Sequence, residues 1–384
     1  MEDVILFGTG TVARRFMYDN QDKINIKFFL DNNPKEDKYI YGYPVYKPNE
    51  VSIGELKKYK IVICSTFYRE ISNQLKSMGL SEIDEFVSHS IYNKKIVILI
   101  GNCHMGVIKE MLRSNCKFDE EFGIYDLPAI CDIKQHNFYE EYEMYLKHAN
   151  VIIQQDIRDD NKIDVRFSCS YVKSKIQSES RHICIINTYG LGKIYYPYFV
   201  HGNLYNVGYS NNEHGYFPFD DLILDNFIKS GFSLEEIVNM TKGNIEGYEP
   251  IDIEKIFEKY GKREGACDVK VMNYIKQNYS NRMLFYDIAH PTNDVLWYEV
   301  QQIFSILNMD DGRIEKRNIG NLSAFATPIY PFVKERLGLQ FDNKWLGDNA
   351  RIRLSTQYMD LEEYVREYYY WCSGRILSES SNTL

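Results

Sequence analysis

The chain has 384 residues, of which 44% are hydrophobic and 26% are charged. This is the composition of an ordinary globular protein, and the length exceeds what one hydrophobic core usually organises, so we expect at least two domains. The net charge of -9 argues against a nucleic-acid surface, because neutralising phosphates requires concentrated positive charge. The sequence contains neither an apolar run long enough for a membrane span nor a secretory signal at its start. We therefore expect a cytoplasmic protein without a membrane span.

Eight cysteines are dispersed along the chain, at positions 64, 103, 116, 131, 169, 184, 267 and 372. None forms a Cys-x-x-Cys pair, and none shows the Cys/His spacing that is typical of zinc sites. We interpret them as reduced thiols and expect no bound metal.

Strand and helix patterns alternate over residues 1–93, which favours a parallel α/β sheet. The turn Gly8-Thr9-Gly10-Thr11 lies between the first strand and the first helix, and Asp31 ends the next strand. In this context Gly8, Gly10 and Thr11 would approach a phosphate at the helix N-terminus, and Asp31 would accept hydrogen bonds from ribose hydroxyls. The ligand remains open between a nucleotide or nucleotide-sugar and NAD, and a turn without any ligand is the third alternative.

The segments FLDNNP at residues 29–34 and GYPV at residues 42–45 indicate more about this unit. They resemble the small Rossmann-like N-terminal domain of sugar acyltransferases of the PglD type. The resemblance implies that residues 1–93 hold a nucleotide-sugar.

A second α/β pattern begins at residues 96–100 and continues with buried strands at residues 151–153, 183–186 and 284–286. Helical patterns occupy most of residues 220–280 and then residues 295–307, with a capping box at Ser233 and Glu236. We therefore expect a second domain over residues 94–311. The tail, residues 312–384, is predicted to be mostly helical and to serve in packing or in forming a homo-oligomer.

Three residues of the second unit form a candidate catalytic group. Cys103 follows a buried strand and opens a helix, a position that exposes a thiol and favours its thiolate form. Asp287 stands three residues before His290 in a loop that Pro291 keeps from becoming regular helix. Such a turn lets the carboxylate hold one ring nitrogen while the other faces a nucleophile.

A nucleophile after the first strand and an Asp-x-x-His loop after the last resemble the SGNH hydrolase arrangement. The variant GNC at residues 101–103 resembles the WcbI family of capsular polysaccharide biosynthesis proteins, as do VIIQQDIRDD at 151–160, HGYFP at 214–218 and HPTN at 290–293. The likeness spans residues 96–308. It implies an SGNH-like fold that binds coenzyme A and transfers an acyl group.

This resemblance implies roles for individual residues. Cys103 would be the nucleophile, His290 the general base and then acid, and Asp287 the group that orients the imidazole. Further candidates are Asn102, Gln155, Arg158 and Asn187 for the oxyanion or the acyl carrier, and His104, His214 and Tyr216 for the substrate cleft.

The function that these expectations imply is acetyl-CoA-dependent acylation of a sugar or nucleotide-sugar in cell-surface polysaccharide biosynthesis, alone or with capsule-assembly partners. Covalent transfer through Cys103 and direct transfer are both compatible with the sequence. A thioesterase or carbohydrate esterase is the alternative enzyme, and a non-catalytic binding protein of a polysaccharide assembly complex is the alternative from another class.

Overall fold

The chain is described from a computed structural model. The residues that the structure describes are 1–34, 39–125, 127–130, 133, 138–161, 163–201, 217, 219–245, 247–248, 252–323, 326–341, 352–354 and 357–381.

A first sheet of six strands occupies the N-terminal part of the chain, in the order β3-β4-β2-β1-β5-β6. Its strands are β1 (Glu2–Phe7), β2 (Ile24–Leu30), β3 (Tyr39–Ile40), β4 (Tyr43–Tyr46), β5 (Lys60–Ile63) and β6 (Phe86–Ser88). All neighbouring strands are parallel except the short pair β3 and β4. The apolar run of residues 4–7 in β1 is completely buried, as expected for a central parallel strand.

A second sheet of four parallel strands has the order β10-β9-β7-β8. Its strands are β7 (Lys95–Ile100), β8 (Phe122–Tyr125), β9 (Val151–Gln155) and β10 (Arg181–Ile185). In chain order this arrangement is 2-1-3-4, which is the order of doubly wound α/β sheets whose ligands bind at the carboxyl ends of the strands. The carboxyl ends of β7, β9 and β10 are therefore the place to look for a site.

Fourteen helices surround the sheets in the described part of the chain. They are α1 (Thr11–Asn20), α2 (Ile53–Leu56), α3 (Tyr68–Ser77), α4 (His104–Arg113), α5 (Cys116–Glu121), α6 (Phe138–His148), α7 (Cys169–Lys175), α8 (Leu222–Lys229), α9 (Leu234–Thr241), α10 (Ile253–Glu264), α11 (Met272–Asn278), α12 (Asn293–Leu307), α13 (Pro331–Arg336) and α14 (Leu361–Ser381). The predicted capping box is confirmed at α9, where Ser233 Oγ accepts from the Glu236 N–H and the Glu236 carboxylate accepts from the Ser233 N–H. None of the described helices is both long and apolar enough to cross a membrane.

The prediction of parallel α/β sheets is confirmed, but the predicted strand at residues 284–286 is wrong. Phe285 makes only an isolated bridge to Pro291. The Tyr286 N–H donates to His290 O at 2.8 Å, and the Thr292 N–H donates to Leu284 O at 2.8 Å. The segment therefore hydrogen-bonds to its own loop, whereas at β10 the Cys184 carbonyl accepts the N–H groups of residues 268 and 269.

The C-terminal tail is helical at α14 but also contains an antiparallel strand pair that the sequence did not indicate. The pair consists of β13 (Ile352–Leu354) and β14 (Gln357–Met359), and a similar pair earlier in the chain joins β11 (Phe199–His201) to β12 (Phe219–Asp221). The tail packs on the second unit, where Tyr330 and Tyr364 both donate their hydroxyls to the buried carboxylate of Asp221. The described part of the tail therefore packs on the second α/β unit.

The two sheets share one of the three hydrophobic clusters of the described residues. A single cluster of buried side chains includes Leu6 of β1, Ile98 of β7 and Tyr142 of α6, together with Ile91 and Tyr92 of the connecting segment. Ile91 lies so close to β8 that a Cβ on Gly123 would be 2.6 Å from its side chain. The two α/β units are therefore packed against each other.

Candidate active site

Cys103 lies at the carboxyl end of β7 and immediately before α4. The four residues before the turn are buried, whereas Cys103 is exposed to solvent. Gly101 allows this tight passage, because a Cβ there would stand 2.7 Å from both Gln155 Oε1 and Met105 Cε. The strand and the turn thus present the thiol at the sheet edge where α/β folds bind ligands.

The structure brings His290 and Asp287 to this thiol from the far end of the unit. Cys103 Sγ lies 3.4 Å from His290 Nε2, and His290 Nδ1 lies 2.7 Å from Asp287 Oδ2. Since a carboxylate only accepts hydrogen bonds, Nδ1 carries a proton and Nε2 faces the sulfur. These distances are those that a nucleophile, a base and an orienting carboxylate require of one another.

The Asp287 carboxylate shapes the loop that carries His290. Its Oδ1 atom accepts the backbone N–H groups of Ala289 at 2.7 Å and His290 at 2.8 Å, and the side chain is completely buried. Gly192 closes the other side, because a Cβ on this residue would stand 2.0 Å from Asp287 O. Gly192 was not predicted from the sequence, although two glycines at positions 190 and 192 after a buried strand are a signal for such a close approach.

The two histidines next to Cys103 have opposite electrostatic properties. Burial alone would lower the pKa of His290, but its hydrogen bonds to Asp287 and Cys103 outweigh burial and raise the pKa to about 10. Burial lowers the pKa of His104 to about 3, with a further contribution from His290. His290 therefore holds a proton readily, whereas His104 stays neutral.

His104 lies beneath the site and does not reach a substrate cleft. It is 2% exposed, its Nε2 atom lies 3.0 Å from Ala289 O, and its Nδ1 atom lies 3.3 Å from Gln155 Nε2. The neutral ring donates at Nε2 and accepts at Nδ1. His104 thereby joins the loop of His290 to the end of β9.

Gln155 and Asn102 form the next contact in this network. Gln155 Oε1 accepts the Asn102 N–H at 3.0 Å, and Gln155 Nε2 donates to Asn102 Oδ1 at 3.1 Å as well as to His104. Both Gln155 N–H groups are occupied inside the protein, so its geometry is that of a support for the Cys103 turn. Asn102 Oδ1 also accepts the first N–H of α4, from His104, at 3.0 Å.

Asn187 follows the carboxyl end of β10 and uses its side-chain oxygen for internal hydrogen bonds. Its Oδ1 atom accepts from the Tyr189 N–H at 3.0 Å and from Asn102 Nδ2 at 3.5 Å. Its backbone N–H donates to Asp156, which in turn pairs with both Nε and Nη2 of Arg263 at 3.0 Å. No acceptor among the described residues contacts Asn187 Nδ2 or the Cys103 N–H, so both can donate to a ligand.

Asp156 and Arg263 were not singled out from the sequence. Burial raises the pKa of Asp156, and the hydrogen bond from Asn187 and the charge of Arg263 offset this only in part. The sequence signal for Asp156 was its position directly after β9, where polar side chains face a ligand site. Arg263 lies 107 residues further along the chain in α10, and no sequence pattern pointed to its contact with Asp156.

Arg158 lies outside the contacts that surround Cys103. It is exposed and pairs with Asp160, with Nε 3.1 Å from Oδ1. His214 and Tyr216, proposed for the substrate cleft, lie outside the described residues. No group of three or more His, Cys, Asp or Glu side chains within the described ranges is placed to hold a metal ion.

The four candidates for nucleotide binding lie at the ends of two neighbouring strands, where Gly8, Gly10 and Thr11 follow β1 and Asp31 follows β2. Gly8 has a φ of 108°, and a Cβ there would stand 2.7 Å from the Cys64 carbonyl oxygen. Gly10 precedes Thr11, the first residue of α1, and its N-cap position has no side-chain hydrogen bond. Asp31 already accepts from Thr9 Oγ1 at 2.7 Å and from the Asn33 N–H at 2.9 Å. The glycine turn is therefore internally bonded at the position where a ribose was expected.

Two family models match the chain. One, described as polysaccharide biosynthesis enzyme WcbI, matches residues 96–312, and the other, described as the N-terminal part of C2185-like proteins, matches residues 1–84. None of the curated proteins matches.

Among solved structures, one described as native WcbI without a disulfide bond between coenzyme A and a cysteine is similar in fold. It has 14% sequence identity and a TM-score of 0.58, and the match covers 72% of this chain and 89% of that one. The WcbI model covers more than half of the chain and contains Cys103, Asp287 and His290. The chain therefore belongs to the WcbI family of polysaccharide biosynthesis enzymes.

Proposed function

We propose that this chain is an acyltransferase that takes an acetyl group from acetyl-CoA and transfers it to a sugar hydroxyl or amine in polysaccharide biosynthesis. The observation that carries the proposal is the line of contacts from Cys103 Sγ to His290 Nε2 and from His290 Nδ1 to Asp287. It supplies a nucleophile, a proton carrier and an orienting carboxylate in hydrogen-bonding range of one another.

The reaction begins with the Cys103 proton already on His290 Nε2, because the hydrogen bonds of His290 to Asp287 and Cys103 raise its pKa to about 10. The thiolate attacks the thioester carbonyl, the bond from the carbonyl carbon to the CoA sulfur breaks, and His290 returns the proton to the departing thiolate. His290 then removes a proton from the acceptor hydroxyl, whose oxygen attacks the acyl-Cys103 carbonyl and releases the Cys103 sulfur. Exchange of one thioester for another is nearly isoenergetic, which suits a cysteine nucleophile.

The charge on the tetrahedral intermediate requires hydrogen-bond donors. The Cys103 N–H and Asn187 Nδ2 have no acceptor among the described residues, and Asn102 Nδ2 has only a 3.5 Å contact with Asn187. We assign these three groups to the oxyanion site. Gln155 and His104 support it from beneath.

Coenzyme A is favoured by two observations. The similar WcbI structure is described with reference to coenzyme A and a cysteine, and within the part of the chain that the structure describes the exposed Arg158 beyond β9 has Asp160 as its one ionic partner. We assign Arg158 to a phosphate of the coenzyme. The strand order 2-1-3-4 with the candidate nucleophile after the first strand supports an SGNH-like fold.

The described cysteines are all free thiols, which supports a location in the reducing cytoplasm.

The role of the first sheet stays a separate proposal. Gly8, Gly10, Thr11 and Asp31 are assigned to a nucleotide or nucleotide-sugar, because the first three lie between β1 and the start of α1 and Asp31 follows the neighbouring strand β2. Binding of a nucleotide-sugar by a Gly10→Val variant with unchanged affinity would remove this assignment.

The acyltransferase proposal is tested by intact-mass measurement after incubation with acetyl-CoA. We expect one acetyl adduct on the native chain, none on Cys103→Ala, and a much slower adduct on His290→Ala. Cys116→Ala is the matched control, because Cys116 is half-buried away from the triad and contacts Arg313. CoA release that requires an added sugar, without an adduct, would replace the covalent route by direct transfer.

The same measurement separates transferase from hydrolase. The exposure of Cys103 would also admit water, which favours a thioesterase or carbohydrate esterase as the second candidate. CoA release that proceeds equally with and without sugar acceptors would establish hydrolysis. An inert protein that neither reacts with nor binds acetyl-CoA would contradict the acyltransferase and the thioesterase, and would leave the carbohydrate esterase and the binding protein as candidates.

A further inference from the structure

A turn at residues 187–190 follows β10 and begins with Asn187, which supplies one of the proposed oxyanion donors. Asn187 Oδ1 accepts the Tyr189 N–H at 3.0 Å, so the side-chain amide is fixed within the turn. At the end of the turn the Gly190 N–H donates to Ile288 O at 2.8 Å, in the loop that carries the candidate base. The direction of Asn187 Nδ2 therefore depends on where the backbone of the 187–190 turn is held.

The first contact that holds the 187–190 turn is a carboxylate oriented by an arginine. Asp156, directly after β9, accepts the Asn187 backbone N–H at Oδ1. Arg263 of α10 donates to both oxygens of this carboxylate, from Nε and from Nη2, at 3.0 Å each. A bidentate pair fixes the geometry of the carboxylate in addition to neutralising its charge. Asp156 therefore cannot rotate away from Asn187 without breaking two charged hydrogen bonds.

The second contact comes from the same helix, three residues earlier. The Tyr260 hydroxyl donates to Tyr189 O at 2.5 Å. Gly190 permits this approach, because its φ is 84° and a Cβ there would stand 2.8 Å from the same hydroxyl. The guanidinium of Arg263 lies over the Tyr260 ring, 5.2 Å from its centre, so the two side chains support each other.

The face of α10 that makes these contacts is shielded from water. Tyr260 is 4% exposed, and the side chain of Asp156 is 12% exposed. By contrast, the neighbouring Lys262 side chain is 74% exposed and pairs with Glu258 on the helix surface. Hydrogen bonds are stronger where water does not compete for the same groups. The buried face of α10 is therefore suited to fixing the 187–190 turn, and its exposed face is not.

We propose that Tyr260 and Arg263 are positioning residues of the oxyanion site, which hold the 187–190 turn so that Asn187 Nδ2 donates to the oxyanion of the tetrahedral intermediate. Neither side chain touches the substrate. Tyr260 acts through the carbonyl of residue 189, and Arg263 acts through Asp156. These roles rest on the proposed function, because an oxyanion forms only when the thiolate attacks a carbonyl.

Two reactions of Cys103 separate this role from a general effect on the thiol. Acetylation, by acetyl-CoA or by p-nitrophenyl acetate, passes through a tetrahedral oxyanion before CoA or p-nitrophenolate leaves. Alkylation by iodoacetamide forms no oxyanion, because the carbon–sulfur bond forms as the carbon–iodine bond breaks and iodide leaves. Both rates are followed by intact mass on the full chain, and Cys103→Ala measures the reaction of the other cysteines.

Tyr260→Phe and Arg263→Gln are the test variants. Each should slow acetylation of Cys103 by about 10-fold or more, because a small displacement of a donor weakens its hydrogen bond to the oxyanion. Alkylation should be unchanged, and so should the acetyl-CoA concentration that gives half of the maximal rate. Arg263→Lys should recover only part of the loss, since an ammonium cannot form the two parallel hydrogen bonds. Lys262→Ala, on the exposed face of the same helix, is the matched control and should change neither rate.

A double-mutant comparison locates the effect at Asn187. Asn187→Ala removes the donor itself and should slow acetylation by about 10²-fold. Adding Arg263→Gln or Tyr260→Phe to Asn187→Ala should cause little further loss, because residues that act through one another are not additive. Losses that multiply would show that α10 acts on another part of the site and would overturn the proposal.

Two further results would also overturn it. An equal loss of acetylation and alkylation in folded variants would place the effect on the thiolate, and native acetylation rates in both variants would show no role at all. Circular dichroism verifies the fold, and if Arg263→Gln is unfolded, Tyr260→Phe decides alone, because it removes a single hydroxyl. A native chain that does not react with acetyl-CoA would remove the proposed function, whereas p-nitrophenyl acetate and iodoacetamide would still test the positioning of the donor.

Discussion

The chain contains two glycine turns in equivalent places, and they differ in what they expose. Gly8-Thr9-Gly10 follows β1 and precedes α1, and Gly101-Asn102-Cys103 follows β7 and precedes α4. In the first turn Thr9 is bonded to Asp31 of the neighbouring strand, within the same sheet. In the second, Cys103 meets a histidine that lies 187 residues further along the chain.

The comparison shows that a topological position offers a site without determining its chemistry. Both turns lie where a parallel sheet leaves its strand ends open to a ligand. The thiol becomes a candidate nucleophile only because the loop of Asp287 and His290 is held against it by Gly192 and His104. The chemistry at the carboxyl ends of the strands therefore depends on which side chains distant segments of the chain place there.

The largest effect is expected from Asp287→Asn, which removes the orienting charge from the second turn. The amide cannot hold the Nδ1–H tautomer or stabilise protonated His290, so acetylation of Cys103 should slow by about 10³-fold to 10⁴-fold. The rate is measured by intact mass at pH 7.5, with circular dichroism to verify the fold. A loss below 10-fold would show that Asp287 is a structural residue of the loop.

A second difference between the turns is the pH dependence of stability. The pKa of His290 is raised from 6.5 to about 10, so its protonated form stabilises the folded chain. This contribution is complete below about pH 6.5 and disappears as the pH rises through about 10. Urea midpoints between pH 6.5 and 10.5 should therefore fall more steeply for the native chain than for His290→Gln.

Cys103→Ser is the control for that experiment, because it keeps the contact between His290 and Asp287. It should retain most of the slope. Parallel curves for the native chain and His290→Gln would mean that the protonated histidine contributes nothing to folding.

The two glycines themselves provide the third contrast. Gly8→Ala places a methyl group 2.7 Å from a backbone carbonyl at a positive φ, which should cost about 2 kcal/mol of folding free energy without slowing Cys103 acetylation. Gly101→Ala meets only the side-chain ends of Gln155 and Met105, which can move. Its displacement of Gln155 should slow acetylation by about 10-fold at a smaller cost in stability.

Both variants are compared by urea unfolding and by the acetylation rate at saturating acetyl-CoA. Gly106→Ala on α4 is a suitable reference, since a Cβ there has no neighbour within 4 Å. The contrast fails if Gly8→Ala slows acetylation as much as Gly101→Ala does.

The sequence predicted the central strands of both sheets well because each is a short, fully apolar run. It failed where pairing depends on distant contacts. β8 is four residues long and contains a glycine that Ile91 requires, so its sequence does not stand out. Residues 284–286 have a strand composition, yet Tyr286 and Leu284 exchange backbone hydrogen bonds with residues 290 and 292 of the His290 loop, which spacing alone does not indicate.

The candidate site shows the same division. Cys103, Asp287 and His290 were found because each lies beside a strand-end or loop motif. His104, Gln155 and Asn187 were placed in the neighbourhood, but their orientation could not be read from spacing. Gln155 points inward to Asn102 and His104, and Arg263 acts through Asp156 from a separate helix. Contacts of this kind, between residues that support the candidate site, depend on how several segments distant in sequence pack together.

The smallest effect is expected at the first turn. Thr9→Val removes the hydroxyl that donates to Asp31 Oδ2 at 2.7 Å, a partly buried contact. Loss of one such hydrogen bond should lower the free energy of unfolding by about 1 kcal/mol. Because the contact lies in the first sheet, the acetylation of Cys103 should stay unchanged, and Thr9→Ser should restore the stability. A slower acetylation in Thr9→Val, with Thr9→Ser normal, would instead couple the two turns and break the comparison between them.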